Sequence, residues 1–236
     1  MTNQTGLRVL EEEIIDCRRC PRLVAYREKV AKEKRRAFRE WSYWGRPVPG
    51  FGDPRAKLFI LGLAPGAHGS NRTGRMFTGD RSGEFLYAAL HKAGFANQKT
   101  WLRPDDGLEL KNAYIAAAVR CAPPANKPLP SEILHCRGYL ERELALLRPK
   151  VVLALGKIAW DAYLDILKSE GVIASRAKYV FAHGAVAKLP GNGPRLVGVY
   201  HPSQQNTQTG RVTPAMYAVI LRKIQRWLGQ PGGAAI

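Results

Sequence analysis

The sequence is poor in acidic residues. It contains 19 Asp and Glu against 37 Lys and Arg in 236 residues, which gives a formal net charge of +18. This excess predicts a polyanionic partner, because phosphate groups that meet basic side chains release their counterions. Nucleic acid and an anionic membrane surface are both candidates, and charge that serves only solubility is the remaining interpretation.

Long apolar runs are also missing from the sequence. The most apolar stretches, 57–67 and 151–155, are too short to cross a bilayer. Residues 1–13 hold one basic residue and three consecutive glutamates, unlike a secretory signal peptide. We therefore expect a cytoplasmic protein, or one directed elsewhere by a signal that the sequence does not reveal.

Hydrophobic residues make up 45% of the chain, enough for a full core, which excludes disordered and collagen-like classes.

Cysteine is scarce, and its spacing is informative. Cys17 and Cys20 form a Cys-x2-Cys pair, and Cys121 and Cys136 follow after a long gap. A reducing cytosol disfavours disulfides, whereas four thiols suit either tetrahedral zinc or a [4Fe-4S] cluster. Zinc ribbons usually have two tight pairs, so the single tight pair favours the cluster. Four unrelated buried cysteines are the alternative.

The apolar pattern predicts strands that alternate with helices. Strands are expected at 58–61, 113–119, 151–155, 179–182 and 195–200. Helices are expected at 7–16, 22–41, 83–93, 131–147, 157–168 and 214–228. This order predicts a three-layer α/β/α fold around a central, mainly parallel sheet of four to five strands. Ser82, Ser131 and Thr213 are the expected N-caps.

Ligands of parallel sheets bind at the carboxyl ends of the strands, which directs attention to three loops, 62–81, 120–127 and 201–213. The first loop is rich in glycine and arginine but lacks the P-loop and dinucleotide-binding signatures. By itself it predicts only an anion or a heterocycle near the first long strand. His201 opens the third loop, where a lone histidine is often structural.

Four motifs taken together resemble the uracil-DNA glycosylase superfamily, and within it the iron–sulfur branch known as type b, or family 5. They are Gly62-Leu63-Ala64-Pro65-Gly66, the continuation 71–80, the segment 119–124 and His201-Pro202-Ser203. The four cysteines match the cluster ligands of that family in order and spacing. The similarity covers about residues 14–228, and its strength lies in the order of the motifs.

The resemblance implies the overall organisation of the protein. It implies one uracil-DNA glycosylase-like domain over 1–236, with residues 1–52 as a basic, cluster-binding extension packed on it. The cluster would be structural and held by Cys17, Cys20, Cys121 and Cys136. The partner would be DNA with a flipped damaged base, and the protein would act as a monomer.

The resemblance also implies a reaction, hydrolysis of the N-glycosidic bond of uracil in DNA without a lyase step, which begins base excision repair. Such an enzyme must extrude the base into a pocket. Phe77 would stack on the base, and backbone amides near Gly62, Ala64 and Gly66 would hold its oxygens. His201 would hydrogen-bond the base O2, where negative charge grows as the bond breaks.

A carboxylate is expected to stabilise the sugar cation, as in glycoside hydrolysis. Better-known branches place an acidic or polar residue inside the first motif, where this chain has none. The nearest iron–sulfur branch has an Asn about where this chain has Ala117. The resemblance to type b therefore assigns the cation and water to Asp80, and the base or water to Asn126. A turn or cap role is the alternative for Asp80.

Contacts with the DNA backbone are expected from polar and basic residues of these loops and of the extension. The candidates are Arg22, Ser70, Asn71, Arg72, Arg75, Ser203 and Arg211. The segment 204–213 would enter the minor groove, with Arg211 or Val212 as the wedge. A pocket with few side-chain contacts to base edges should also accept hypoxanthine and xanthine.

Two other functions compete with the glycosylase. The first is a non-enzymatic, iron–sulfur nucleic-acid-binding protein that has lost the carboxylate of the first motif. The second is an iron–sulfur electron carrier, which has no need for a charge of +18 or for an arginine-rich loop.

Overall fold

A six-stranded sheet forms the centre of residues 2–230, the part of the chain that the computed structural model describes. The strands are β1 (Phe51–Gly52), β2 (Leu58–Gly62), β3 (Ala113–Ala117), β4 (Val151–Leu155), β5 (Val186–Ala187) and β6 (Arg195–Val199). Their order in the sheet is β1-β3-β2-β4-β6-β5. The four inner strands run parallel, and the two short edge strands pair antiparallel, so the predicted mainly parallel sheet is confirmed, although it has six strands where four to five were predicted.

Helices cover both faces of this sheet. They are α1 (Asn3–Ile15), α2 (Pro21–Glu33), α3 (Ser70–Thr73), α4 (Arg81–Lys92), α5 (Pro130–Leu147), α6 (Lys157–Ser169), α7 (Gln204–Gln208) and α8 (Pro214–Leu228). Helices α4 and α8 pack on one face, and α5 and α6 pack on the other, with α1 lying against α5. The predicted three-layer α/β/α fold is therefore confirmed.

Burial explains why the inner strands were recognisable in the sequence. Strands β2, β3 and β4 are buried at every residue, and β6 at every residue except Arg195. A strand covered on both faces reads as a continuous apolar run, which is the pattern that the sequence shows. The carboxyl ends of these four strands lie at one edge of the sheet, which places the loops after β2, β3 and β6 beside one another.

The prediction of a strand at 179–182 is wrong. This segment forms no strand, because Val180 is 75% exposed and Phe181 packs edge-on against Trp160 instead of joining the sheet. The edge strand β5 lies a few residues later. The edge strands β1 and β5 have two residues each, too few to show an alternating pattern.

Several helix boundaries also differ from the expected ones. Helix α2 ends at Glu33 instead of 41, because Lys34 adopts a left-handed φ of +54°, and a short 3-10 helix, Arg36–Phe38, follows. Asp80, and not Ser82, is the N-cap of α4. Helix α5 begins at Pro130, so Ser131 lies inside it. Thr213 caps α8 as predicted.

The extension formed by residues up to 52 packs on the rest of the molecule. Leu10 and Ile14 of α1 form a buried cluster with Tyr139 of α5, and α2 contacts α3. The predicted domain 1–236 includes Met1 and residues 231–236, which lie outside the described residues. Within residues 2–230, no helix has both the length and the apolar character that a membrane crossing requires.

Candidate active site

Phe77 lies in the loop between β2 and α4 and covers the end of β2. Its backbone has a left-handed φ of +54°, a strained conformation for a bulky residue that persists only where the surrounding structure holds it. A methyl group added to Gly62 would come within 3.1 Å of the Phe77 ring. Glycine at 62 therefore allows the ring to pack closely against the strand end.

His201 lies two residues after the end of β6, and its ring faces that of Phe77. The two ring centroids are 5.9 Å apart with an interplanar angle of 31°. Asn206 donates a hydrogen bond from Nδ2 to the His201 carbonyl at 2.8 Å, which holds the loop. Burial lowers the pKa of His201 to about 4. The imidazole is therefore neutral at neutral pH and carries one N–H that can donate to a ligand.

Asp80 serves two purposes with its two oxygens. Oδ1 accepts a hydrogen bond from the Gly83 amide at 3.0 Å and caps α4, so the cap role given as the alternative is confirmed. Oδ2 points toward the glycines of the loop, where a methyl group on Gly66 would lie 3.1 Å from it. Burial raises the pKa of Asp80, although amide hydrogen bonds and the charge of Arg72 oppose that rise.

A cavity of about 610 Å³ opens beside the Asp80 carboxylate. Gly66 and Asn126 line it together with Asp80, so the structure brings together three residues that were assigned to the site from distant parts of the sequence. The other lining residues include Tyr26, Arg35, Phe38, His68, Arg81 and Gln204. Gly62, Ala64, Phe77 and His201 are not among the lining residues of this cavity.

Asn126 reaches the cavity from a 3-10 turn, Pro124–Asn126, in the loop after β3. Ala125 and Asn126 both have left-handed backbones, with φ of +53° and +56°. Asparagine tolerates this region better than most residues, whereas alanine does not. The strained turn presents the exposed Asn126 side chain at the same cavity as Asp80.

The amides assigned to the base oxygens are free to act as donors. Within residues 2–230, neither the Ala64 nor the Gly66 N–H donates to a backbone carbonyl. Both follow β2, where the strand hydrogen bonds end and the loop begins. A ligand with carbonyl oxygens at this position would meet unpaired backbone donors.

The structure contradicts the prediction that the side chains of Ser70, Asn71, Arg72 and Arg75 contact phosphates, because all four are buried. Arg75 donates from Nη1 and Nη2 to the two carboxylate oxygens of Asp106, at 2.8 and 2.9 Å. Such a bidentate pair uses the guanidinium to fix the loop, leaving its face unavailable to DNA.

Arg72 and Asn71 also bond within the protein, although Arg72 Nη1 and Asn71 Oδ1 have no partner among the described residues. Arg72 donates to the carbonyls of His68 and Gly79 at 2.8 and 2.9 Å. Asn71 donates from Nδ2 to the carbonyl of Arg27 at 3.3 Å, which links the loop to α2. These two side chains therefore fix the shape of the glycine-rich loop from inside the protein.

The structure treats the predicted wedge and the remaining predicted DNA contacts differently. Val212 is 1% exposed and belongs to the main core, so its prediction as a wedge is wrong. Arg211 is exposed and stays a prediction as a DNA contact. Ser203 caps α7 with its hydroxyl, and Arg22 forms an ion pair with Glu132 at 2.7 Å. Both therefore have structural partners in addition to their predicted role.

The four cysteines are free thiols that converge between α2, α5 and the loop after β3. Cys20, Cys121 and Cys136 share one buried cluster, and Cys17 packs beside Tyr139 at its margin. Among the described residues, no three His, Cys, Asp or Glu side chains form a group that could hold a single metal ion.

Two buried arginines adjoin these thiols and lack partners for some of their N–H groups. Arg27 donates from Nη1 to Cys121 Sγ at 2.9 Å, while its Nε has no partner among the described residues. Arg120 forms an ion pair with Glu143, and its Nε and Nη1 have none within residues 2–230. Buried, incompletely paired guanidinium groups beside thiols fit a site for an anionic group.

Sequence reasoning missed the part of the cavity wall that comes from the extension. Tyr26, Arg35 and Phe38 lie before the first motif, which begins at Gly62, in a basic run whose default interpretation is a solvated helix face. The aromatic residues spaced among the arginines were the one signal of contact with another surface.

Comparison with known proteins decides the family of this chain. Residues 49–225 match the family model described as the Uracil DNA glycosylase superfamily. This chain belongs to that superfamily. The Type-5 uracil-DNA glycosylase of Thermus thermophilus is 53% identical over 214 residues, which cover 90% of this chain and 94% of that protein. The Type-5 uracil-DNA glycosylase of Mycobacterium leprae is 52% identical over 222 residues, which cover 93% and 95% of the two chains.

More distant members of the superfamily are also similar to this chain. The Type-4 uracil-DNA glycosylase of Archaeoglobus fulgidus is 31% identical over 159 residues, covering 66% of this chain and 70% of that protein. The resemblance inferred from the four motifs is therefore confirmed. The superfamily match includes the strands and the loops after them but begins after the first cysteine pair and α2.

Proposed function

We propose that this chain is a uracil-DNA glycosylase that hydrolyses the N-glycosidic bond of uracil in DNA, the first step of base excision repair. The observation that carries the proposal is the convergence of Asp80 and Asn126 on one cavity, in a chain that also pairs the rings of Phe77 and His201. It occurs in a chain that is 45–53% identical to proteins named Type-5 uracil-DNA glycosylase. DNA is the partner that these names and the charge of +18 support.

The extruded base would stack on Phe77, with its oxygens directed to the amides of Ala64 and Gly66. As the bond between the base nitrogen and C1′ breaks, its electron pair stays on the base, and negative charge grows on O2. The neutral His201 would donate a hydrogen bond to that oxygen, which stabilises the anionic leaving group without a competing positive charge on the ring.

The sugar gains positive charge at C1′ as the base leaves. An ionised Asp80 would stabilise this cation and orient a water molecule toward C1′. Asn126, which lines the same cavity, would hold the water or the base. The water oxygen forms the new bond to C1′, its released proton goes to solvent or to the base, and an abasic sugar and free base result.

We extend the substrate class to other deaminated bases, hypoxanthine and xanthine. The support is that backbone amides and one histidine, and not a set of matched side chains, are the groups placed to meet the base edge. Backbone donors recognise any base with a carbonyl oxygen in the right position, so the pocket selects less sharply between pyrimidines and purines.

We also propose that Cys17, Cys20, Cys121 and Cys136 hold a [4Fe-4S] cluster, with zinc as the alternative. A cluster of this kind is anionic when ligated by four thiolates, which fits the buried Arg27 and Arg120 beside the thiols. When bound, the cluster would cross-link α2 to α5 and would take no part in the reaction. Assays of iron, acid-labile sulfide and zinc in purified protein test this: brown protein with iron and sulfide supports the cluster, and colourless protein with zinc contradicts it.

The activity itself is tested with end-labelled duplex DNA that contains a single uracil, followed by alkali to cleave abasic sites. We expect a break at the uracil only after alkali, because no lyase step is proposed, and no break in a matched duplex with thymine. Binding of both duplexes without any break would support the non-enzymatic nucleic-acid-binding alternative. A duplex with hypoxanthine tests the wider substrate class separately.

Monomeric action in the cytoplasm is a further part of the proposal. Light scattering coupled to size-exclusion chromatography tests the first point, and fractionation of cells that express the tagged protein tests the second. A dimer in solution or enrichment in a membrane fraction would contradict them.

A further inference from the structure

The guanidinium of Arg72 lies between two aromatic rings of the N-terminal extension. Its Cζ is 3.9 Å from the centroid of Phe38 and 4.1 Å from that of Trp41. Nε and Nη2 of the same guanidinium donate to the carbonyls of His68 and Gly79. One buried side chain therefore joins the extension to both ends of the loop that carries Phe77.

Further bonds attach the extension along this loop. The Tyr43 hydroxyl lies 3.1 Å from His68 Nδ1 and accepts a hydrogen bond from the Arg35 amide at 3.4 Å. The amide of Trp44 donates to the Arg72 carbonyl at 2.9 Å. These contacts fix the backbone of 35–44 relative to the loop 62–81.

The consequence is that the extension forms one wall of the Asp80 cavity. Arg35 and Phe38 line it together with residues of the glycine-rich loop. Arg35 is exposed and takes part in no ion pair within the described part of the chain. Its positive charge is close enough to add to the effect of burial in lowering the pKa of His68.

We propose that Arg35 binds a backbone phosphate next to the extruded nucleotide, which makes the N-terminal extension part of the substrate site. The inference rests on the proposed glycosylase function. An extruded nucleotide carries its flanking phosphates to the mouth of the pocket, where a cation has to meet them. Arg72 and Arg75 are buried and bond to other residues of the protein. The Arg35 side chain is exposed, while its backbone amide is held by the hydrogen bond to Tyr43. Arg35 also lies outside residues 49–225, which match the superfamily.

The neighbouring Arg36 provides a matched control. It is exposed, has the same charge and is the first residue of the 3-10 helix that Arg35 precedes, but it does not line the cavity. Arg35→Gln and Arg36→Gln therefore change the net charge of the protein equally. Affinity is measured by fluorescence anisotropy on a duplex with a tetrahydrofuran abasic site, at several salt concentrations, beside single-turnover excision of uracil.

We expect Arg35→Gln to weaken binding about tenfold and to lower the salt slope by about one, as for loss of one phosphate contact. Arg36→Gln should weaken binding less than about threefold, and Arg35→Lys should restore most of the loss because it keeps the charge. The loss should appear mainly in binding, so that at saturating enzyme the excision rate of Arg35→Gln falls by a smaller factor than its affinity does.

Equal weakening by Arg35→Gln and Arg36→Gln would overturn the proposal, since it would mean that only overall charge matters. A loss confined to the excision rate at saturation would also overturn it, because it would place Arg35 in the chemical step. If the wild type excises no uracil, the proposed function fails, and that result is distinct from either outcome.

Discussion

The carboxylate of Asp80 occupies the space that a side chain on Gly69 would need. A methyl group built on Gly69 would overlap Asp80 Oδ2 and come within 2.9 Å of its Cγ. Glycine at 69 is therefore a steric requirement of the site. The position of the carboxylate depends on the missing side chain.

Gly69→Ala should slow excision by displacing the Asp80 carboxylate. We expect a fall of about tenfold or more in the single-turnover rate, with duplex affinity within about twofold of the wild type, because a small misplacement of a catalytic group is costly. Gly138→Ala is the control, since nothing lies within 4 Å of the added methyl group in α5. It should leave the rate unchanged and stabilise the fold by roughly 0.5–1 kcal/mol. Equal rates for the wild type and Gly69→Ala would contradict this reading of the contact.

The pH dependence of excision should have one acidic limb and no change near the ordinary histidine pKa. Burial raises the pKa of Asp80, and its ionised form is required, so the rate should rise as pH increases through that raised value. Burial lowers the pKa of His201 to about 4, so the ring stays neutral from there upward. Single-turnover rates at saturating enzyme and constant ionic strength provide the profile. A rate that falls as pH increases past 6.5, the ordinary value for histidine, would indicate a charged His201.

Phe77→Leu should weaken productive binding of the base. Stacking of a base on an aromatic ring contributes roughly 1–3 kcal/mol, so kcat/KM should fall about 5- to 150-fold while the leucine still fills the space over Gly62. Phe85→Leu is the comparison, because Phe85 packs edge-on against Tyr217 away from the site. It should lower the melting temperature and leave kcat/KM nearly unchanged. Similar kcat/KM losses in the two variants would argue that Phe77 acts only through packing.

Much of the fold could be predicted because buried strands appear in the sequence as continuous apolar runs. The four inner strands are apolar at every residue except Arg195, and Thr213 with Pro214 marks the start of α8 in a way that depends only on neighbouring residues. The short edge strands and the end of α2 could not be predicted, because sheet pairing and the left-handed turn at Lys34 depend on contacts distant in sequence.

The candidate residues that face the site could be predicted, but the side chains that hold the loop in place could not. Motif order pointed to Asp80, Asn126 and His201, but the arginines of the glycine-rich loop were mistaken for phosphate contacts. The partners that bury them are more than 25 residues away: Phe38 and Trp41 enclose Arg72, and Asp106 pairs with Arg75. No local pattern distinguishes an arginine that meets phosphate from one that holds a loop.

The central claim is that the ionised Asp80 drives hydrolysis in this cavity, and Asp80→Asn tests it most directly. Asparagine keeps the shape of the side chain and can still cap α4, so the substitution removes mainly the charge. The measurement is the single-turnover rate of uracil excision from duplex DNA at saturating enzyme, with duplex affinity determined in parallel. We predict a rate lower by about 100-fold or more, equivalent to about 2.7 kcal/mol of transition-state stabilisation, with affinity nearly unchanged. Excision by Asp80→Asn at the wild-type rate would contradict the account.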